Sequence, residues 1–367
     1  MTKNILFIFG TRPEAIKLAP LIIALKENKL FNISICISSQ HIELLNQVLE
    51  FFNIKPDYNL NIMTEKQTLF DITTKCLTQF ETIFNKSKPE LIIVQGDTTT
   101  AFTGALAGFY AKIPVAHIEA GLRTFDRNNP FPEEINRKLI AQLATFHFAP
   151  TEKNKNDLQK EGINNNVWVV GNTVIDALNH TLNIVENGFT PPFTICKKNN
   201  KKLILVTGHR RESIGKPFEN LCKQLIEISN DKSIEIIFSL HLNPNIQETA
   251  HKLLNSIPNI KLIDPQSYPN FIWMMSQSDL IITDSGGIQE EAPHLGIPIL
   301  VTRKQTERSE SKNNNNKLVD LTNKSLVPEA KKLLQNANNH CKKSYQESPY
   351  GDGKSSKTIS SILETIL

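Results

Sequence analysis

Short apolar runs alternate with amphipathic stretches along this chain, and they do so in two successive sets. Residues 5–9, 33–37, 91–94, 115–118, 146–149 and 167–170 form the first set of apolar runs; 203–206, 235–240, 261–263, 280–282 and 297–301 form the second. Segments such as 13–26, 44–52 and 69–84 carry helical periodicity between them. A strand that is apolar on both faces must be covered on both, and intervening helices supply that cover. The pattern therefore predicts an α/β fold with parallel sheets. A polar, proline-containing interval at 187–202 separates the sets. Two doubly wound, Rossmann-like domains facing a cleft follow, expected at 1–170 and 171–353. The terminal helix, within 354–367, is expected to pack on the first domain or back on the second.

Composition narrows the function classes. A length of 367 residues suits two domains, and 40% hydrophobic with 21% charged residues is ordinary for a globular protein. A net charge of +4 without a basic run interleaved with aromatics argues against nucleic acid as a partner. No apolar run reaches membrane-spanning length and the N-terminus lacks a secretory apolar core, so a cytoplasmic protein with no membrane partner is expected. Cys36, Cys76, Cys196, Cys222 and Cys341 are scattered with no CxxC pair, which predicts reduced thiols and no metal site.

Ligands of open parallel sheets sit beyond the carboxyl ends of the strands. Polar clusters stand at five such places: Gly10-Thr11-Arg12-Pro13-Glu14, Gln95-Gly96-Asp97-Thr98-Thr99-Thr100, His117-Ile118-Glu119-Ala120-Gly121-Leu122-Arg123, Thr207-Gly208-His209-Arg210-Arg211-Glu212, and Thr283-Asp284-Ser285-Gly286-Gly287-Ile288-Gln289-Glu290-Glu291. The last joins a strand, a small-residue turn and a helix start, which suits a phosphate, with carboxylates one turn later that suit a ribose diol. A nucleotide diphosphate is the expected ligand; the plainer alternative is a Ser-capped structural helix. Likewise Asp97 could cap a helix beginning at Thr98, and the helix dipole could account for one of Glu133 and Glu134. Glu119, directly after an apolar strand, has no comparable structural explanation.

These clusters, taken with Pro130-Phe131-Pro132-Glu133-Glu134-Ile135-Asn136-Arg137 and Ser348-Pro349-Tyr350-Gly351-Asp352-Gly353, closely resemble the non-hydrolysing UDP-N-acetylglucosamine 2-epimerases. That resemblance implies a two-domain fold of the glycosyltransferase-B type, a UDP-sugar substrate, no cofactor and a homodimer. The implied reaction interconverts UDP-N-acetylglucosamine and UDP-N-acetylmannosamine. Its C2 proton has no adjacent carbonyl, and no strand here is followed by a GxGxxG dinucleotide turn, so oxidation by bound NAD is not the expected route. Elimination of UDP across C1–C2 and re-addition after reprotonation on the other face needs only acid/base groups and a grip on diphosphate. By resemblance Asp97, Glu119, Glu133 and His209 are catalytic, and crowding is expected to raise the pKa of at least one carboxylate. Arg12, Lys17, Arg308, Ser285, Gly286 and Gly287 match positions near the diphosphate, Glu291 the ribose, and Gln266 and Phe271 the uracil, although Phe271 could equally be core. Arg123, Arg210 and Arg211 are either anion contacts or salt-bridge partners.

Gln40, His41 and Glu43 resemble the family's activator site, where a second substrate molecule binds, with Lys66, Gln67, His241 and Arg210 as further members. Lys66 and Glu43 depart from the Arg and Gln of some members. The stretch from Ser309 to Asn316 is shorter than the family pattern, and Asn129 stands where Ser is common, which leaves open a related UDP-2-acetamido sugar. A hydrolysing 2-epimerase, a glycosyltransferase and a nucleotide-sugar sensor are the rival readings.

Overall fold

The computed structural model describes residues 2–38, 42–64, 67–191, 193, 201–208, 215–308, 315–336 and 348–367. It contains two compact units: Met1–His180 with Pro349–Leu367, and Thr181–Ser348. Unit 1 opens with β1 (Lys3–Phe9), α1 (Arg12–Glu27), β2 (Phe31–Ile37), α2 (Ile42–Phe51) and β3 (Tyr58–Asn59). It continues with α3 (Leu69–Ser87), β4 (Leu91–Gln95), α4 (Thr99–Tyr110), β5 (Val115–Ile118), α5 (Glu133–Leu143), β6 (Phe146–Ala149), α6 (Glu152–Lys160), β7 (Val167–Val169) and α7 (Thr173–Glu186). Its sheet runs β3-β2-β1-β4-β5-β6-β7, with every pair parallel.

Unit 2 contains β8 (Lys202–Gly208), α8 (Lys216–Ser229), β9 (Ile234–Leu240), α9 (Pro244–Leu254), β10 (Ile260–Ile263), α10 (Tyr268–Gln277) and β11 (Leu280–Thr283). After these come α11 (Ile288–His294), β12 (Ile299–Val301), β13 (Asn316–Leu318) and α12 (Val327–Asn336). Its sheet runs β10-β9-β8-β11-β12-β13, again parallel throughout.

The central strands are fully buried because they have no polar face. In unit 1, Leu6, Ile8, Ile92 and Val94 meet Phe80 and Phe84 of α3; in unit 2, Ile204, Val206 and Phe238 meet Leu221 and Leu225 of α8. Each such side chain contributes roughly 1.5–3 kcal/mol by leaving water. Cys36, Cys76 and Cys222 are buried free thiols within these cores; Cys196 and Cys341 lie outside the described residues. Among the described residues no helix is long and apolar enough to cross a membrane.

Both sheets reverse direction of growth at one point. β1 pairs with β2 on one side and β4 on the other, and β8 pairs with β9 and β11. The crevice outside these strand ends is where a doubly wound sheet accepts its ligand. The unit boundary falls within α7, at His180/Thr181, not at the expected 170/171. The first half of α7 belongs to unit 1 because Val174, Ile175, Ala177 and Leu178 are buried there. The terminal segment also returns to unit 1. Asn172 N–H donates to the Tyr350 carbonyl at 2.8 Å, and Asp176 accepts from the Ser355 and Ser356 amides at 3.2 and 2.7 Å. Those amides open α13 (Ser355–Ile366), which packs against α1.

Candidate functional site

In unit 1 the β1 and β4 ends carry Arg12 and Asp97, and the β5 end carries Glu119. Glu119 has φ +66°, a left-handed backbone that costs a non-glycine residue about 1 kcal/mol. Its side chain is tethered from three directions. Lys17 Nζ of α1 and Asn172 Nδ2 donate to Oε1, the latter at 3.1 Å, and Gln95 Nε2 at the end of β4 donates to Oε2. Lys17, expected near a diphosphate, is buried and engaged with this carboxylate.

Asp97 is held differently. Arg137 of α5 reaches its Oδ2 through Nε at 2.8 Å and Nη2 at 2.7 Å, while Asn136 Nδ2 donates to the Asp97 carbonyl at 2.9 Å. Arg137 Nη1 also reaches Glu134, whose fully buried carboxylate accepts from the Thr124 and Phe125 amides, both at 3.0 Å. Of the adjacent acids that open α5, Glu134 is therefore structural, and Glu133 is half-buried beside it. Asp97 does not cap α4: Thr98 is the N-cap and accepts from the Ala101 amide at 3.0 Å. Asp97 and Glu119 thus each face a cation, and the expected mutual repulsion of carboxylates is not what the geometry presents. Glu14, at the end of β1, is pushed up to about 7 by complete burial, against hydrogen bonds that oppose the shift. Behind the site, His117 Nε2 lies 2.7 Å from the Gly96 carbonyl, and His117 and His147 sit side by side on β5 and β6. Burial lowers their pKa values to about 3 and about 4. Arg123 forks onto Glu161 at 2.9 and 2.6 Å, which makes it a salt-bridge partner.

In unit 2, Ser285, Gly286 and Gly287 form the turn between β11 and the seven-residue α11. The N-cap is Gly287, with no side-chain cap, so the Ser-capped alternative does not hold; Ser285 instead donates its amide to Thr283 Oγ1 at 3.0 Å. Arg308 lies against Gly286 so closely that a Cβ there would meet Nη1 at 2.6 Å. Its Nε donates to Glu290 at 2.6 Å, its Nη1 to Glu307, and Glu307 also receives Arg303 Nη1 at 3.1 Å. Glu291 accepts from the buried Tyr268 hydroxyl at 2.8 Å. Gln266 donates to the Asp264 carbonyl at 2.8 Å and accepts from Asn270 at 3.3 Å. Phe271 is only partly buried on α10, so it is not simply a core residue.

Of the expected activator residues, Glu43 is exposed on the first turn of α2, and Gln67 donates to the Ile62 carbonyl at 2.7 Å. His241 is exposed after β9 and accepts the Asn243 amide on Nδ1 at 3.1 Å. Gln40, His41, Lys66, His209, Arg210 and the loop 309–314 lie outside the described residues. Sequence reasoning missed Gln95, Asn172, Arg137 and Tyr268 as partners of the candidate acids. Gln95 and Arg137 stood inside quoted motifs without an assigned task, and Tyr268 lies between Gln266 and Phe271, the residues matched to the uracil. Asn172 follows a strand and met the same strand-end criterion.

The UDP-N-acetylglucosamine 2-epimerase family model matches residues 23–364. A UDP-N-acetylglucosamine 2-epimerase of Campylobacter jejuni is 47% identical over 374 aligned positions, covering 99% of this chain and 98% of the relative. The fold is similar to the crystal structure of UDP-GlcNAc 2-epimerase from Neisseria meningitidis bound to UDP-GlcNAc, at TM-score 0.90 and 43% identity over 99% of this chain and 100% of that one. It is also similar to the Methanocaldococcus jannaschii UDP-GlcNAc 2-epimerase in complex with UDP-GlcNAc and UDP, at TM-score 0.84 and 36% identity over 99% of both chains.

Proposed function

The chain belongs to the UDP-N-acetylglucosamine 2-epimerase family, and on that premise we propose that it interconverts UDP-N-acetylglucosamine and UDP-N-acetylmannosamine by elimination and re-addition of UDP. The observation that carries the mechanism is the environment of Glu119: a carboxylate on a strained backbone, fixed by Lys17, Gln95 and Asn172. Strain kept at one acid beside a sheet's switch point is the mark of a working group rather than a structural one.

In the first half-reaction the C1–O bond to UDP breaks and its electron pair leaves with the phosphate oxygen. The cationic character that develops at C1 acidifies the C2 proton, which one carboxylate removes as the C1–C2 double bond forms. In the second half, another acid protonates C2 from the opposite face and the UDP oxygen closes on C1. Asp97, Glu119 and Glu133 are assigned to these proton transfers, and His209 to the departing UDP. Arg12, Arg308 and the Ser285–Gly286–Gly287 turn are assigned to the diphosphate, where fixed donors stabilise developing charge. Glu291, oriented by Tyr268, is assigned to the ribose, and Gln266 and Phe271 to the uracil. Lys17 is assigned to Glu119, balancing its charge. The route uses no cofactor.

Incubation with UDP-N-acetylglucosamine in D2O, followed by NMR at C2, tests this. Deuterium at C2 of a product that keeps its UDP is the expected result; free sugar would establish hydrolysis, and no exchange would reject the epimerase reading. A cytoplasmic homodimer activated by a second substrate molecule at Gln40, His41, Glu43, Lys66, Gln67, Arg210 and His241 completes the proposal. Sedimentation of a monomer at assay concentration would remove the dimer, and strictly hyperbolic kinetics would remove the activator.

A further inference from the structure

Glu14 takes no part in the proton transfers assigned above, yet its carboxylate accepts four hydrogen bonds at the switch point. Only 2% exposed, it accepts on Oε2 from the Gly10 amide at 3.0 Å, the Thr11 amide at 2.8 Å and the Thr11 hydroxyl at 2.7 Å. On Oε1 it accepts from the Thr98 hydroxyl at 2.7 Å. A capping box at the start of α1 requires only the reciprocal pairing with Thr11. The bond to Thr98 crosses to a different strand end and has no capping purpose for α1.

Thr98 itself has two tasks. Its oxygen caps α4 through the Ala101 amide, and it directly follows Asp97. Gly10 is fixed from the other side, since a Cβ there would meet Ser38 Oγ at 1.9 Å and Thr100 Oγ1 at 2.9 Å, and those hydroxyls are 2.8 Å apart. Glu14 thereby ties the ends of β1 and β4 together, and the Ser38–Thr100 pair joins the β2 end to the same helix start. One Glu14 oxygen holds the backbone that leads into Arg12, and the other holds the turn that carries Asp97.

We propose that Glu14 is a positioning residue: it sets the distance between the Arg12 loop and the Asp97 turn, and so aligns an anion-binding group with a proton-transferring group. The inference rests on the reading that gives Arg12 and Asp97 those tasks. Burial brings the acid close to neutrality, and its neighbours suit either protonation state. Thr98 is a hydroxyl, able to accept a hydrogen bond from a protonated Oε1 or to donate one to an ionised Oε1. A glutamine is compatible with the same frame, with its carbonyl facing Gly10 and Thr11 and its amide donating to Thr98.

The test compares Glu14→Ala, Glu14→Gln and Thr98→Val in the full chain, with kcat and UDP affinity measured well below each variant's unfolding midpoint. Glu14→Ala is expected to lower kcat by about 10- to 100-fold, the cost of misaligning reacting groups by a fraction of an ångström or more. Glu14→Gln is expected to recover most of that loss, and Thr98→Val to lower kcat while leaving the UDP dissociation constant within about 2-fold. A purely structural Glu14 would shift the midpoint and leave these ratios alone. Wild-type kcat in folded Glu14→Ala, or in Thr98→Val should the former not fold, overturns the proposal. So does a Glu14→Gln as impaired as Glu14→Ala. Failure of the wild type itself to exchange C2 hydrogen would instead reject the functional reading.

Discussion

At Glu119 and Gly286, single atoms decide the outcome of substitution. Glu119→Gln replaces one carboxylate oxygen by an amide that must face Lys17, Asn172 or Gln95, all of them donors, while changing nothing in unit 2. C2 exchange in D2O is expected to fall at least about 100-fold with UDP affinity unchanged; a variant that still exchanges would release Glu119 from its role. Gly286→Ala places a methyl 2.6 Å from Arg308 Nη1 and must displace that guanidinium. UDP binding by calorimetry is expected to weaken by about 10-fold, equal to the roughly 1.4 kcal/mol of one charge-assisted hydrogen bond. Such contacts were not legible in the sequence. Arg308 and Gly286 could each be matched to a family position, but their stacking depends on the path of an intervening strand. Glu119 stood out because an acid after an apolar strand lacked a structural reason, whereas Asn172, its partner from another strand end, gave no cue of its own.

Elements were legible wherever apolar continuity was long enough to demand a sheet. The central strands β1, β4, β8 and β11 were evident because every residue of their cores is apolar. β3, only Tyr58–Asn59, has no pattern to read and exists because β2 offers it a free edge. Helix starts were less certain, since Asp97 and Thr98 are both good caps and only the fold shows that Thr98 takes the position. The adjacent β5 and β6 histidines carry a pH prediction. Both bind protons less readily folded than unfolded, so their contribution to stability is fully present above pH 6.5 and is lost as pH falls toward about 4 and about 3. Glu14 has the opposite sign: raised from 4.5 to about 7, it adds stability below pH 4.5 that is lost as pH rises through about 7. Thermal midpoints are expected to fall as pH drops from 6.5 to 4, and to fall more steeply in Glu14→Gln, where the opposing contribution is gone. Equal slopes in the two proteins would contradict the assignment of Glu14.

At the scale of the whole chain, unit 2 is an insertion in the sequence of unit 1, between His180 and Pro349. Removal of residues 349–367 takes away α13, its packing against α1 and the amides bonded to Asp176. The truncated protein is expected to lose at least about 3 kcal/mol from unit 1, from a stranded buried carboxylate and an uncovered apolar face, while unit 2 keeps its stability. Hydrogen exchange resolved by peptide distinguishes this from a uniform loss, which would place α13 elsewhere in the energetics. The restart of the apolar pattern announced two domains. The destination of the terminal helix stayed open between the two domains, because an amphipathic helix does not specify which apolar face it will cover.

The return of the terminal segment to unit 1 imposes an order on biosynthesis. Unit 2 is continuous, so all of its strands have left the ribosome before the last helix of unit 1 has been translated. The nascent N-terminal sheet must wait, with α1 uncapped by its partner, through the translation of an entire second domain. Unit 1 is therefore finished after unit 2, and a chain ending before Pro349 would hold every strand of unit 2 while unit 1 still lacked α13.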